Sequence, residues 1–337
     1  MHSCFCDAIA LSAGGTAGTA HVGSLTALFA LDKTKLFQIR HWAGSSVGSL
    51  IALFVFLCRG NVPEIKRICN LMCTNPNNVL RMDVFTLVTS LGLDTMQQFH
   101  MFLTDLCKKK MNHANPTLSE ISKHWGGRSL GVVVTNLTDL EHGMQYFSSM
   151  NPDVASKSVI ELVLQSCSAP VFFQPTIEGS NVYTDGGILN YCPMWEVCGD
   201  ALSCKEDHCC GARLKNKLPV KVLGWVYQPF GFTVAVPQNS MEMLLTTIWR
   251  LTWELCRRRL RESCTYSQIP ITFPTIPQSE QPQVFKYSKE NTRAVSVHFS
   301  HPPGCSLTSI PGMESMIHRG WSIMARLMLK SEDLFNF

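Results

Sequence analysis

The sequence predicts an α/β protein, and three observations carry that prediction. A short apolar run, Phe5 to Leu11, enters a glycine-rich turn at 13–18 and then an Ala/Leu-rich segment, Thr19 to Leu31. A second run, Gln38 to Ala43, passes through Gly44-Ser45-Ser46-Val47-Gly48 into the apolar segment Ser49 to Arg59. Farther along, Leu130 to Thr135 has the β-branched content of a strand buried on both faces. Strand, tight turn and helix in succession is the order that builds α/β units.

In chain order, Phe5 to Leu11 is a strand interrupted by Asp7, and Gln38 to Ala43 is a second strand feeding a deeply buried helix. From Val62 the character changes. Pro63 sits where a first helical turn tolerates proline, and Ile65, Ile68, Cys69 and Met72 fall at helical spacing. Arg81 to Leu91 and Met96 to Leu106 are further helical candidates, the latter followed by Lys108, Lys109 and Lys110, cations suited to a helix C-terminus. Residues 61–115 therefore read as a helical insertion or cap. Val154 to Ser166 reads as a helix, Ser180 to Thr184 as a short strand and Asp185-Gly186-Gly187 as a turn. Residues 198–218, with Cys198, Cys204, His208, Cys209 and Cys210, read as a cysteine-rich insertion loop. Val220 to Tyr227 is a strand, Met241 to Arg261 a helix with a basic end, Arg293 to Phe299 an alternating strand and Met313 to Leu329 a last helix. Prolines within 270–282 mark an irregular connector.

The 337 residues allow one large domain or two. Charged residues make up 16 %, well below the roughly 25 % of an average soluble domain, and the net charge is +4. The apolar content excludes a disordered solvating chain, and the mild basic excess argues against nucleic acid as a partner. The longest apolar stretch, Leu50 to Cys58, is nine residues where a membrane span needs about 20. With no secretory signal ahead of Phe5 and an odd total of 15 cysteines, free thiols in a reducing, cytoplasmic compartment are expected.

Gly44-x-Ser46-x-Gly48 between a strand and a buried helix has the layout of a nucleophile elbow. The sharp turn demands small flanking residues and lifts the hydroxyl above a helix N-terminus, where amides stabilise developing negative charge. Ser45 is the rival but lacks the symmetric glycine spacing. A conventional triad would need a histidine, and His298 beside an alternating strand is the best candidate. The 13–18 loop departs from the dinucleotide fingerprint at Ala13 and lacks the Gly-Lys-Ser/Thr ending of a phosphate-binding P-loop. Amides bared by its glycines suit an oxyanion instead.

Taken together the blocks resemble the patatin-like phospholipase family. Leu11 to Leu25 resembles its opening oxyanion loop and helix, Gly44–Gly48 its serine elbow, Leu130 to Leu137 its central strand, Ser166 to Phe173 the run before its aspartate strand, and Val182 to Asn190 its Asp-Gly-Gly segment. The resemblance implies a three-layer α/β/α fold with a mainly parallel sheet, spread over a single domain at 5–330. It also implies a Ser–Asp dyad in which Asp185 is the base for the nucleophile Ser46, with backbone amides of Gly14, Gly15 and Thr16 as the oxyanion hole and Gly44, Gly48, Gly186 and Gly187 as support. No cofactor is implied. The implied activity is acyl-ester hydrolysis of glycerophospholipids; neutral-glyceride hydrolysis, acyl transfer or a non-catalytic lipid-binding scaffold are the alternatives. Two departures stand out: Ala13 replaces the first of three consecutive glycines, and Ala17 replaces the family's basic residue.

Cys198, Cys204, His208 and Cys209 form a poor zinc pattern, because Cys-x5-Cys is wider than the usual x2–4 spacing. A lipid hydrolase must touch a membrane or micelle surface. The 241–261 segment, with Met241, Leu244, Leu245, Ile248, Trp249 and Trp253 ahead of Arg257-Arg258-Arg259, suits either an interfacial helix or one packed on the sheet. Peripheral contact with intracellular membranes is thus expected.

Overall fold

The computed structural model describes residues 6–74, 91–204, 214–216, 218–228, 240–261, 264–269, 281–300 and 310–329. Side-chain alternation along the first strand sets up everything around it. In β1 (Ala8–Leu11) Ile9 and Leu11 point to one face of the sheet while Ala8 and Ala10 point to the other. The large side chains meet a thick helical layer, and the alanines let a second layer approach closely.

The elements that follow are α1 (Thr19–Gln38), β2 (His41–Ser45), α2 (Val47–Leu57), α3 (Val62–Thr74), β3 (Gly92–Asp94), α4 (Gln97–Met111), α5 (Leu118–His124), β4 (Ser129–Asn136) and β5 (Met144–Ser148). After them come α6 (Val159–Cys167), β6 (Val171–Phe173), β7 (Thr176–Glu178), β8 (Asn181–Asp185) and α7 (Met194–Leu202). The chain ends with β9 (Val220–Gln228), α8 (Ser240–Arg261), β10 (Thr265–Ile269), β11 (Gln283–Lys289), β12 (Thr292–Ser300) and α9 (Ile310–Leu329).

The main sheet runs β10-β11-β12-β9-β1-β2-β4-β8-β7, with β5 also on β4. Its centre, β12-β9-β1-β2-β4, is parallel throughout, and the antiparallel pairs lie at both flanks. On one face, Ile9, Trp42, Val132 and Trp225 pack against α1, α2, α6 and α9. On the other, Ala10, Ala43 and Val222 pack against Met194, Val197, Cys198 and Ala201 of α7 and Cys256 and Leu260 of α8. This is a three-layer α/β/α arrangement. The α2 helix is buried from Gly48 to Leu57, which explains its continuous apolar sequence.

Several boundaries differ from the sequence reading for local reasons. The first helix continues to Gln38, and the second strand starts only at His41. The α6 helix begins at Val159 because the Ser158 hydroxyl caps it by accepting the Glu161 N–H. The aspartate strand is Asn181–Asp185, shifted by one residue after a turn in which Gly179 takes φ +61°. Cys198 lies inside α7, not in a loop: Met194, Val197, Cys198 and Ala201 form its buried face, a helical period that the clustered cysteines disguise. The 61–115 stretch includes a strand, β3, that pairs with β6, which helical periodicity did not anticipate. Arg81–Leu91 as a helix lies outside the described residues apart from Leu91, and most of the proline connector does too. Among the described residues, no helix is long and apolar enough to cross a membrane.

Candidate active site

Register brings two distant chain segments to one height. Ser45 of β2 lies beside Val133 of β4, and Asp185 at the end of β8 lies opposite Val134 on the other edge of β4. The next residue after β2 is Ser46, so the elbow and the aspartate face each other across a single strand. Ser46 Oγ donates a hydrogen bond to Asp185 Oδ2 at 2.6 Å. The two residues are 7 % and 6 % exposed, so the pair is nearly dry.

The elbow is strained in the manner its sequence requires. Ser46 adopts φ 54°, ψ −129°, a sparsely populated combination for a residue with a side chain. A Cβ on Gly44 would lie 2.2 Å from the Gly48 carbonyl carbon, and one on Gly48 would lie 2.2 Å from the Leu11 carbonyl oxygen. Only glycines let α2 turn back so tightly over β1 and β2. The turn is braced by Ser166 at the end of α6, whose Oγ accepts the Ser46 N–H at 2.9 Å, and by Ser49, whose Oγ donates to the Ser46 carbonyl at 2.6 Å. Neither bracing serine was singled out from sequence; both are ordinary helix-end serines until the fold brings them together. Ser45 is fully buried, and its Oγ has no hydrogen-bond partner among the described residues.

Asp185 is held on both oxygens. Oδ2 accepts from Ser46, and Oδ1 accepts the Gly187 N–H at 2.7 Å. Burial raises its pKa from 3.8 to about 7, and these two hydrogen bonds pull only partly in the other direction. Another buried carboxylate, Asp200, is also pushed upward by burial but accepts from the Tyr146 and Ser148 hydroxyls, tying α7 to β5. Asp200 bonds two hydroxyls within the sheet layer, whereas Asp185 bonds the hydroxyl that stands on the glycine elbow.

The glycine loop lies alongside. Gly15–Gly18 form a 3-10 turn entered through Gly15 at φ +54°, where an added Cβ would meet nothing, so the conformation alone demands glycine. A Cβ on Gly18 would strike Val47, next to Ser46, and one on Gly187 would approach the Ala13 Cβ at 2.7 Å. Loop, elbow and aspartate turn thus touch pairwise. The amides of Gly14 and Gly15 have no hydrogen bond among the described residues, as the first groups of a helical turn do not, and Thr16 follows in the same turn. Ser12 fixes the loop's entry: its Oγ accepts the Tyr227 N–H and donates to the Ala13 carbonyl, both at 2.8 Å. His21 Nε2 lies 3.0 Å from the Ser12 carbonyl, and burial lowers the ring's pKa to about 4, so a neutral imidazole donates there.

The remaining candidates fall elsewhere. His298 sits within β12, three strands from β2 and so roughly 14 Å away. Its Nε2 is 2.6 Å from Ser296 Oγ, and its ring packs on Phe285. It does not complete a triad with Ser46. Cys198 Sγ lies 3.0 Å from the Thr292 hydroxyl, inside the second helical layer, while Cys204 is partly exposed and His208 and Cys209 lie outside the described residues. The described residues hold no group of His, Cys, Asp or Glu with metal-binding proximity. The cysteines whose side chains are described are free thiols, and burial raises Cys58, Cys107 and Cys256 to about 11, 12 and 12, so none of these three is an activated nucleophile. Lys110 is committed to Glu64 at 2.5 Å.

A family model described as patatin-like phospholipase matches residues 9–197, which spans the glycine loop, the elbow and the aspartate turn. Among solved structures, VipD from Legionella pneumophila shares 14 % identity at a TM-score of 0.47, covering 96 % of this chain and 67 % of that one. No curated protein matches.

Proposed function

Since the chain belongs to the patatin-like phospholipase family of serine-type lipid hydrolases, we propose that Ser46 and Asp185 cleave fatty-acyl esters of glycerophospholipids as a two-residue dyad. The observation that carries this reading is the 2.6 Å hydrogen bond from Ser46 Oγ to a desolvated Asp185 carboxylate, with no imidazole between them. Ser46 Oγ attacks the ester carbonyl carbon as its proton passes to Asp185 Oδ2. The resulting oxyanion is met by the amides of Gly14, Gly15 and Thr16. The carbonyl–oxygen bond to the alcohol then breaks, and Asp185 returns the proton to the departing alkoxide, leaving an acyl-Ser46. Water attacks that ester as Asp185 takes its proton; the bond from the acyl carbon to Ser46 Oγ then breaks, Asp185 returns the proton to Oγ, and the fatty acid leaves.

A carboxylate of ordinary pKa is a weak base toward a hydroxyl. Desolvation at this position raises its basicity by about three orders of magnitude, which supports the dyad without a third residue. A peripheral encounter with a lipid surface fits the absence of a spanning helix among the described residues.

The test is active-site labelling with a fluorophosphonate, paired with a lipid panel of phospholipids, lysophospholipids and neutral glycerides. Ser46→Ala is expected to abolish both labelling and release of fatty acid while keeping the native circular dichroism spectrum. Labelling that persists at another serine would overturn the assignment, and turnover confined to neutral glycerides would move the substrate class.

A further inference from the structure

The described residues hold a cavity of about 460 Å3 lined by Leu189, Leu255, Arg258, Arg259 and Arg261. One wall belongs to the active site. Leu189 ends the short turn Gly186–Ile188 that starts directly after Asp185, so it lies about 8 Å along that turn from the base. The opposite wall is the last part of α8, a helix that touches this turn from the second helical layer.

The three arginines are not equivalent. Arg259 is engaged by Glu196, with Nη2 2.5 Å and Nε 3.2 Å from Oε1. The Arg261 guanidinium lies 4.5 Å over the Tyr266 ring. Arg258 is exposed and has no partner among the described residues. Among the described residues no acidic side chain lines the cavity itself, and with Arg259 neutralised by Glu196 the positive charge left over is that of Arg258 and Arg261. A helix C-terminus ordinarily repels anions through its unpaired carbonyls. Here two of those carbonyls are taken: that of Arg259 accepts Trp195 Nε1–H at 3.1 Å, and that of Leu260 accepts the Cys264 thiol at 3.4 Å. The glycine loop, by contrast, offers no cation anywhere in 13–18.

The same helix exposes apolar side chains next to the cavity. Leu251 and Leu255, one helical turn apart, are 61 % and 44 % exposed on one side of α8, one turn from Arg258. An exposed apolar pair followed by the Arg258 guanidinium matches the order of acyl chain and phosphate met on entering a lipid surface.

We propose that this cavity is the subsite for the phosphate-bearing head of the substrate, with Arg258 pairing the phosphate oxygens and Leu189 and Leu255 flanking the glycerol. It rests on the reading of Ser46 and Asp185 as an acyl-ester hydrolase and narrows that reading to anionic glycerophospholipids. Short-chain dihexanoylphosphatidate and dihexanoylglycerol, which differ only in the phosphate, separate the head from the acyl contribution. Their dissociation constants are measured by calorimetry on the full chain carrying Ser46→Ala, so that neither is consumed. Adding Arg258→Gln is expected to lower the preference for phosphatidate over dihexanoylglycerol about tenfold. Arg250→Gln, on the same helix but outside the cavity, is expected to leave that preference unchanged. An unchanged preference in Arg258→Gln overturns the proposal. So does inorganic phosphate binding as tightly as phosphatidate, which would make the cavity a site for the free ion. Binding needs no turnover: a chain with intact Ser46 that binds phosphatidate through Arg258 but hydrolyses nothing would sink the hydrolase reading and leave the anion site standing.

Discussion

Replacing Asp185 by asparagine separates what the carboxylate does for chemistry from what it costs the fold. Asparagine keeps the shape, its carbonyl oxygen can still accept the Gly187 N–H, and its amide can face Ser46, whose hydroxyl rotates to accept. What disappears is the charge. In the folded chain the Asp185 carboxyl titrates at about 7 against an ordinary 3.8. Between those values the native state holds a proton that the unfolded state has lost, so stability falls as pH rises through that window and is flat above it. At 1.36 kcal/mol per pH unit the whole window amounts to roughly 4 kcal/mol, of which about 3 kcal/mol falls between pH 5 and 7. With about 2.1 cal/mol/K of unfolding entropy per residue, 3 kcal/mol corresponds to about 4 °C for this chain. Thermal unfolding at pH 5 and pH 8 should therefore show Asp185→Asn gaining about 4 °C on the wild type between the two. Ester hydrolysis should meanwhile fall by at least about 10³-fold. Parallel melting curves at both pH values would refute the desolvated carboxylate, and hydrolysis retained within tenfold would refute its role as base.

The remaining expectations follow from the same geometry. Because Asp185 must be ionised to take the Ser46 proton, kcat/KM for a soluble ester should rise with pH along a limb centred near 7; a limb centred near 4 would contradict the dry site. Ser46→Gly should be inactive yet more stable by about 1–2 kcal/mol, since glycine adopts φ 54°, ψ −129° without strain; denaturant unfolding measures this, and a loss of stability would count against a strained elbow. Gly48→Ala should destabilise by at least about 3 kcal/mol or prevent folding, because its Cβ would meet the Leu11 carbonyl oxygen at 2.2 Å; near-wild-type unfolding would show that the α2–β1 contact is looser than drawn. His21 is held neutral by burial with its pKa near 4, while the unfolded chain protonates this residue at about 6.5. Stability should fall by roughly 3 kcal/mol as pH drops through that interval, and His21→Gln should flatten the dependence. Unfolding curves with an unchanged slope against pH would refute the buried neutral ring.

Much of the site was legible in the sequence because its backbone geometry admits few residue types. Gly44 and Gly48 mark the elbow and Gly186 and Gly187 a place where chains touch, each leaving no room for a Cβ, while Gly15 marks a left-handed entry to a helical turn where the positive φ alone demands glycine. The strands β1, β2, β4 and β9 were visible through apolar and β-branched runs, since both faces of a central parallel strand are covered. The flanking pieces were not. β3, β5, β6, β7, β10 and β11 are short or half-exposed, and their pairing, not their composition, makes them strands. Cys198 shows the opposite failure. A chemically loud residue in a cluster of cysteines turned out to occupy a routine core position on α7.

The sequence by itself determined the local chemistry: which serine stands on a turn that only glycines permit, which loop bares its amides, and that a mostly apolar, sparsely charged chain builds an α/β core. These are short-range properties, set by dihedral sterics and by the side-chain period of two or 3.6. Resemblance pointed to Asp185, but residue spacing could not place it beside that serine: 139 residues separate them, and only the register on β4 brings them to 2.6 Å. Tertiary structure also decided that Asp185 is dry, that Ser166 and Ser49 brace the elbow, and that three arginines from the far end of α8 stand beside the turn that follows the base. Desolvation and through-space charge sum over whatever the fold packs nearby, and no stretch of sequence carries that sum.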